Sequence, residues 1–397
     1  MTSSSQGMRS LFSLTVLLFL ATLPDAMLAI ALKAIAVDRY GVSAGSAHWF
    51  MAVNLLGAIA VLPLLARFWR DLPAWKLIVI GAIVDAACMA ITAFPIGWIP
   101  TLLIRCVEGG ADLVTISTLL GLLGAGTFNR SGSRFGLAGF VMMLGLAVGI
   151  GGGGAISDQS AVAVLLTTSV ICALLALMTW LVRSDLDLMQ DRAVRVASAA
   201  MRSRWRLSLW PAMCFAFGDR AMSAVISVTG ALYLTVVLDI SMTRAGGFIG
   251  VSLLLLAIFS WPAGLIADRL GALRVRIVCA AFYGLCVAAM AYLDSDDGQG
   301  LFVLMVAIGI SGAGLVPTTY ALASRSGRGV SDMGSVQAAG TAGYFSGVVI
   351  AALLFPELGV HAEQQFQQVF LGFAAGYLVL NMLGVVGLLR WRIGPLR

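Results

Sequence analysis

The sequence predicts an all-α integral membrane protein with twelve transmembrane helices in two bundles of six. Three observations predict it. Of the 397 residues, 60% are hydrophobic and only 11% are charged, with a mean hydropathy of +0.98; a soluble domain carries about a quarter charged residues. Apolar blocks recur along the whole chain, each matching the roughly 20 residues that a bilayer core about 30 Å thick requires. One long polar stretch, 183–208, divides them into six before and six after.

The blocks before that stretch fall at 10–37, 46–66, 76–95, 99–124, 135–156 and 161–182. Those after it fall at 209–238, 245–266, 275–293, 300–323, 335–356 and 367–389. Charged or turn-forming residues close each one. The first block imitates a secretory leader, because Arg9 precedes an apolar run that reaches Asp25-Ala26-Met27. The run continues to about Val37, too long for the apolar region of a cleaved leader, so it is read as a span. The dividing stretch carries Arg183, Asp185, Asp187, Asp191 and Arg192, then Arg202, Arg204 and Arg206, and reads as a solvated linker with a surface helix. The expected organisation is a bundle at 1–182, a cytoplasmic linker at 183–208 and a bundle at 209–397.

A net charge of +6 and a pI near 9.2 would suit a nucleic-acid binder. The basic residues, however, lie singly and in pairs between apolar blocks, as topology determinants do, and nucleic-acid partners are not expected. With the N-terminus in the cytoplasm, only Lys33, Arg39 and Arg244 of the 25 basic residues fall at the opposite face, and only Arg105 and Arg220 within helices. The same tally puts Arg269, Arg274 and Arg276 in a cytoplasmic loop, while Asp294, Asp296 and Asp297 make an opposite-side loop acidic. Both termini are expected in the cytoplasm, and the chain in a plasma membrane of the bacterial inner-membrane kind. The cysteines at 88, 106, 172, 214, 279 and 286 lie in apolar blocks without C-x-x-C spacing, so disulfide and zinc readings fail. No cofactor or metal is expected.

Three local patterns add chemistry. Between the eighth and ninth blocks the chain reads Gly264-Leu-Ile-Ala-Asp268-Arg269-Leu-Gly271-Ala-Leu-Arg274-Val-Arg276. Two glycines there suit a tight turn joining two helix ends, Asp268 suits a cap or a pairing with a helix N-terminus, and the arginines suit the membrane face. The counterpart at 63–71 has Arg67 and Arg70 but lacks the glycines and that aspartate. In the fourth block, Arg105, Glu108 and Asp112 stand at i, i+3 and i+7 on one helix face. Mid-membrane charges persist when paired or wet, so this face either lines a cavity or holds a structural ion pair. In the fifth block, Gly136, Gly145, Gly149, Gly153 and Gly154 form a stripe that lets helices approach closely. The run 151–154 also softens that helix end.

Together these patterns resemble the major facilitator superfamily. The loop is similar to its signature G-x-x-x-D-R-x-G-x-x-x-R, here intact only in the second half. Arg105-Cys-Val-Glu108-Gly109-Gly110 resembles the R-x-x-Q-G-x-G motif of proton-coupled members, with Glu108 where glutamine is usual. The fifth-block glycines match the register of an exporter and antiporter motif, with Ile150 where proline is usual. The resemblance implies a carrier for a small organic solute that works by alternating access between two six-helix halves. It also implies a latch at Gly264, Asp268, Arg269, Gly271 and Arg274, and proton antiport out of the cell ahead of proton-coupled uptake. Such a carrier needs a small-molecule substrate, protons or another coupling cation, and the lipid bilayer, and is expected to work as a monomer.

In that superfamily the first helix of each half lines the pathway, which makes Asp25, Asp219 and Arg220 candidates. The plainer alternatives place Asp25 near an interface with Lys33, and Asp219 and Arg220 at the membrane surface. Asp85 reads as a helix-packing group. Five acids (Asp25, Asp85, Glu108, Asp112 and Asp219) against Arg105 and Arg220 favour proton coupling and a cationic or neutral solute. Asn54, Tyr320 and Gln337, with Trp49, Thr341 and Tyr344, are polar or aromatic groups available to a substrate. An enzyme is not expected: His48 and His361 are the only histidines, and no H-E-x-x-H, G-x-S-x-G or G-x-x-x-x-G-K-[ST] run exists. A non-transporting receptor built on a carrier fold is the remaining alternative.

Overall fold

In a bilayer every backbone N–H and C=O has to be satisfied within the protein, so an apolar chain of this kind resolves into helices. The structure, a computed structural model, describes residues 2–42, 44–124, 131–200, 209–234, 238, 240–293, 298–324, 330–354 and 362–393. Side-chain surroundings are described for most of these. The first six crossings are α1 (Thr2–Ile30, extended by a π turn Lys33–Asp38), α2 (Ala44–Asp71), α3 (Ala74–Thr92), α4 (Trp98–Gly124), α5 (Ser131–Ser157) and α6 (Ala161–Leu181). After α7 (Arg183–Ala200) the second set begins with α8 (Trp210–Ala224), which passes through a π turn (Val225–Thr229) into α9 (Gly230–Leu232). It continues with α10 (Met242–Leu270), α11 (Ala272–Ala289), the broken pair α12 (Gly298–Gly312) and α13 (Leu315–Ser324), α14 (Val330–Leu354) and α15 (Ala362–Ile393).

Ten of these crossings are long and apolar enough by themselves to span a bilayer. The other two are α2, whose apolar part is Ser46–Val61, and the α8–α9 rod, which carries Asp219 and Arg220. The twelve-crossing fold class is what the structure has among its described residues. Outward faces expose Ile83, Leu103, Phe282 and Leu285, apolar side chains that match lipid rather than water.

The close helix crossings are made by glycine. A Cβ at Gly145 would overlap Thr22, one at Gly149 would sit 2.6 Å from the Leu23 carbonyl oxygen, and one at Gly153 would sit 2.6 Å from Met27 Cα. The α5 stripe is therefore the surface that packs on α1. A second stripe, not anticipated from the sequence, does the same in the other half. Gly343 abuts the Phe217 backbone and Gly347 lies against Ala221, so α14 packs on α8 as α5 packs on α1. Gly57 and Gly109 meet the backbones of Cys106 and Asn54 and set the α2–α4 crossing.

The loop pattern folds differently from its expectation in two respects. Gly264 lies inside α10, about two turns before its end. Gly271 alone makes the turn, at φ +93°, ending α10 and opening α11. Asp268, Arg269 and Arg274 are exposed there. Arg276, assigned by the charge tally to the cytoplasmic face, is instead completely buried. The helical turn after Gly271 points it inward, where it finds the partners described below. On the same end of the molecule, α7 lies along the first half, with Leu186 buried. Pro73 gives α3 no side-chain cap, and Gln190 of α7 supplies one by accepting the Ala74 N–H at 2.7 Å. The surroundings of Gly136, the side chains at 63–71, residues 201–208 and the acidic run at 294–297 lie outside the described residues.

Candidate functional site

The polar groups of the first half gather where α1, α2 and α4 meet. Arg105 is fully buried, and its guanidinium stacks 4.6 Å from the Phe50 ring centroid. It pairs with Glu108 one turn along α4, and the Asn54 amide donates to the same carboxylate at 2.7 Å. Asp25, next to Pro24 within α1, lies 3.9 Å from Arg105. Glu108 is thus held by two partners and Asp25 by one distant one. Asp112 is the remaining member of the helix face. It is half-buried and lines the central cavity, and it has no hydrogen-bond or ion-pair partner among the described residues. Asp85 is buried at 6% exposure on α3, and its Oδ1 has no partner among the described residues.

The second half holds a tighter cluster. Arg276 donates from both terminal nitrogens to Asp219, each at 2.6 Å. Its Nε and Nη2 also donate to Asn381 Oδ1, at 3.0 and 2.6 Å, and Nη1 donates to Thr319 at 2.9 Å. Tyr377 donates to Asp219 at 3.1 Å, and Phe215 carries the guanidinium 4.6 Å from its ring centroid. A bidentate arginine–carboxylate pair with its other donors filled is a closed, neutral unit. It ties α8, α11, α13 and α15 together. Asp219 is therefore largely enclosed by the second half, and its charge is already matched. Neither Arg276 nor Asn381 was a sequence candidate, because the pairing joins residues 57 and 105 positions apart. No local spacing announces that.

Between the halves lies a cavity of about 230 Å³, room for a small organic solute with some water. Its first-half wall includes Asp25, Asn54 and Asp112; its second-half wall includes Asp219, Arg220, Tyr320 and Gln337. Asp219 and Arg220 are neighbours and diverge, one bound by Arg276 and the other facing the cavity. Tyr320 donates to Gln337 at 2.8 Å, and the Ser227 and Tyr344 hydroxyls lie 2.8 Å apart. Apolar contacts join the halves at both ends of the cavity. Leu14, Leu17 and Leu18 share a cluster with Tyr320, Ala323 and Val336 at one end. Met27, Leu28 and Phe50 share one with Ala224, Val228 and Val348 at the other. At that second end Thr243 of α10 also donates to Asp158.

The structure thus brings Asp25, Asn54, Asp112, Asp219, Arg220, Tyr320 and Gln337 to one cavity and sets Arg105 and Glu108 directly behind it. The loop residues Gly264, Asp268, Arg269, Gly271 and Arg274 and the α5 glycines at 145, 149, 153 and 154 do not line it. Among the described residues no group of His, Cys, Asp and Glu is placed to hold a metal ion.

A sequence model of the Major Facilitator Superfamily matches residues 14–352. No curated protein matches in a sequence comparison. Among solved structures, the fold is similar to the nucleoside transporter NupG, with a TM-score of 0.66 and 15% identity over 95% of this chain and 98% of that one. It is also similar to the proton:xylose symporter XylE bound to 6-bromo-6-deoxy-D-glucose, with a TM-score of 0.69 and 14% identity over 98% of this chain and 96% of that one.

Proposed function

The chain belongs to the major facilitator superfamily, and on that premise we propose that it is a secondary active transporter that couples the movement of a small organic solute to protons. The observation that carries this reading is the cavity between the halves, lined by Asp112 on one wall and Arg220 on the other, neither with a hydrogen bond or ion pair among the described residues. A carboxylate near mid-membrane without a fixed partner favours taking up a proton when water leaves, whereas a paired one does not. Asp112 is the proton carrier in this reading, with Asp25 beside it. Glu108, engaged by Arg105 and Asn54, is a positioning group. This narrows the expectation drawn from the helix face, which gave Glu108 and Asp112 equal weight.

Movement follows from the two apolar seals. Separating one set of contacts while keeping the other opens the cavity to one side at a time, by rocking of the two halves. The glycine surfaces of α5 on α1 and α14 on α8 keep each half rigid during that motion. Export by proton antiport is the preferred direction, supported by the register of the α5 glycines. Uptake by symport is the second reading, favoured by the likeness in fold to a proton:xylose symporter. The proposed setting is a bacterial inner membrane, with both termini and α7 in the cytoplasm and the monomer as the working unit.

The test is flux in proteoliposomes under an imposed pH gradient, with solutes chosen by a thermal-shift screen. Wild type accumulates or expels solute with the gradient. Asp112→Asn is expected to exchange solute without responding to the gradient. Gradient-driven flux equal to wild type in both Asp112→Asn and Asp25→Asn would remove the assignment.

A further inference from the structure

Arg220 is the one basic residue among the described residues that line the cavity, and it has no hydrogen bond or ion pair among them. Its stem crosses α14 at Gly340, where a Cβ would come within 3.0 Å of Arg220 Cγ. Gln337, Gly340 and Tyr344 share a face of α14. The guanidinium stem is therefore flanked by the Tyr320–Gln337 pair on one side and the Ser227–Tyr344 pair on the other. Ser223 on α8 and Ser227 in the π turn that follows lie about one and two turns beyond Arg220 and line the same cavity. Most of the remaining lining is aliphatic, including Met142, Met143, Ile249 and Leu253.

The charge balance of the membrane interior, taken as a count, favours a cationic or neutral solute. The arrangement reverses that preference. A carboxylate facing the cavity can shed its charge by binding a proton, whereas a guanidinium stays charged throughout. Asp219 is matched by Arg276 and Glu108 by Arg105, which leaves Asp25 and Asp112 as acids able to go neutral. Among the described residues that line the cavity, the permanent charge with no ion-pair partner is Arg220. A buried unpaired cation is expensive in a low-dielectric site, and its fork-shaped donors fit a planar oxyanion. Resting on the transporter reading above, we infer that the solute is an organic monoanion: an apolar body bearing one carboxylate, which docks on Arg220 between the two hydroxyl pairs. A dianionic phosphate is disfavoured, since no second cation lines the cavity among the described residues.

The experiment is thermal stabilisation of the purified protein by three matched probes: phenylacetate, phenylacetamide and phenethylamine. Phenylacetate is expected to stabilise wild type and the other two not. Arg220→Gln is expected to weaken phenylacetate about 10–100-fold, the range of a lost charge-assisted pair. Arg220→Lys, which keeps the charge and loses the fork, is expected to fall between. Stabilisation by phenethylamine, equal stabilisation by phenylacetate in wild type and Arg220→Gln, or no response to phenylacetate in wild type each overturns the inference. Arg220-dependent binding without flux in proteoliposomes would instead overturn the transport reading and leave the ligand class standing. Flux of phenethylamine but not phenylacetate would do the reverse.

Discussion

Arg105 and Arg276 are both fully buried and both stacked on a phenylalanine, yet they differ in what surrounds them. Arg276 has a bidentate partner and neutral groups for its other donors, whereas Arg105 shares its neighbourhood with Glu108, Asp25 and, along the same face, Asp112. Removing one member of a closed buried pair strands the other, typically at about 3–5 kcal/mol. Asp219→Asn is therefore expected to lower the thermal unfolding temperature markedly in detergent, and Asp219→Leu with Arg276→Met to recover most of the loss. Glu108→Gln is expected to destabilise while keeping gradient-driven flux, and Asp112→Asn to keep stability while losing it. This opposite pair of outcomes, read by unfolding and by proteoliposome flux, separates positioning from coupling. Arg105, Glu108 and Asp112 were readable in the sequence because helical periodicity alone puts them on one face. The Asp219–Arg276 pair was not, because it is made by packing between distant helices, and Arg276 sits in a stretch whose charge pattern imitates a surface loop.

At the scale of elements, the crossings were readable from hydropathy, and their irregularities were not. The break between α12 and α13 falls at Gly312 to Gly314, just before Pro317, whose missing N–H cannot continue the helix ladder, whereas the π turn after α8 follows no such local signal. The α5 stripe was visible as a motif, but its counterpart, Gly340, Gly343 and Gly347 on α14, follows no signature and becomes meaningful only once α8 lies against it. The two surfaces give a direct test. Gly149→Val and Gly343→Val put a side chain into the backbones of α1 and α8, and overpacking of this kind destabilises by about 1–3 kcal/mol or more. Gly152 faces open space, so Gly152→Ala is expected to stabilise by up to about 1 kcal/mol through helix propensity. Unfolding temperatures of the three variants check the contrast. Equal effects would mean that the stripe is not a packing surface.

For the whole molecule, the two apolar seals and the cavity between them are what the proposed alternating access rests on. The halves touch at both ends through mostly apolar side chains. The Asp158–Thr243 hydrogen bond adds a polar tie at one end. Phe50 lies in that same seal and also carries Arg105, so a change of charge at Asp25 or Asp112 is felt next to the contacts that part. Membrane class was plain in the sequence. Which groups meet across the interface depends on how the two halves face one another, and no local pattern encodes it.

The most direct measurement is of distance across the two seals by pulsed electron spin resonance in lipid. One spin-label pair is placed at Gln159 and Ser241, beside the Asp158–Thr243 tie, and another at Lys76 and Arg274 on the opposite end. On lowering the pH the two distances are predicted to change in opposite directions in wild type and to stay fixed in Asp112→Asn. Distances that change together, or that respond identically in the two proteins, would contradict a proton-driven exchange of access through this cavity.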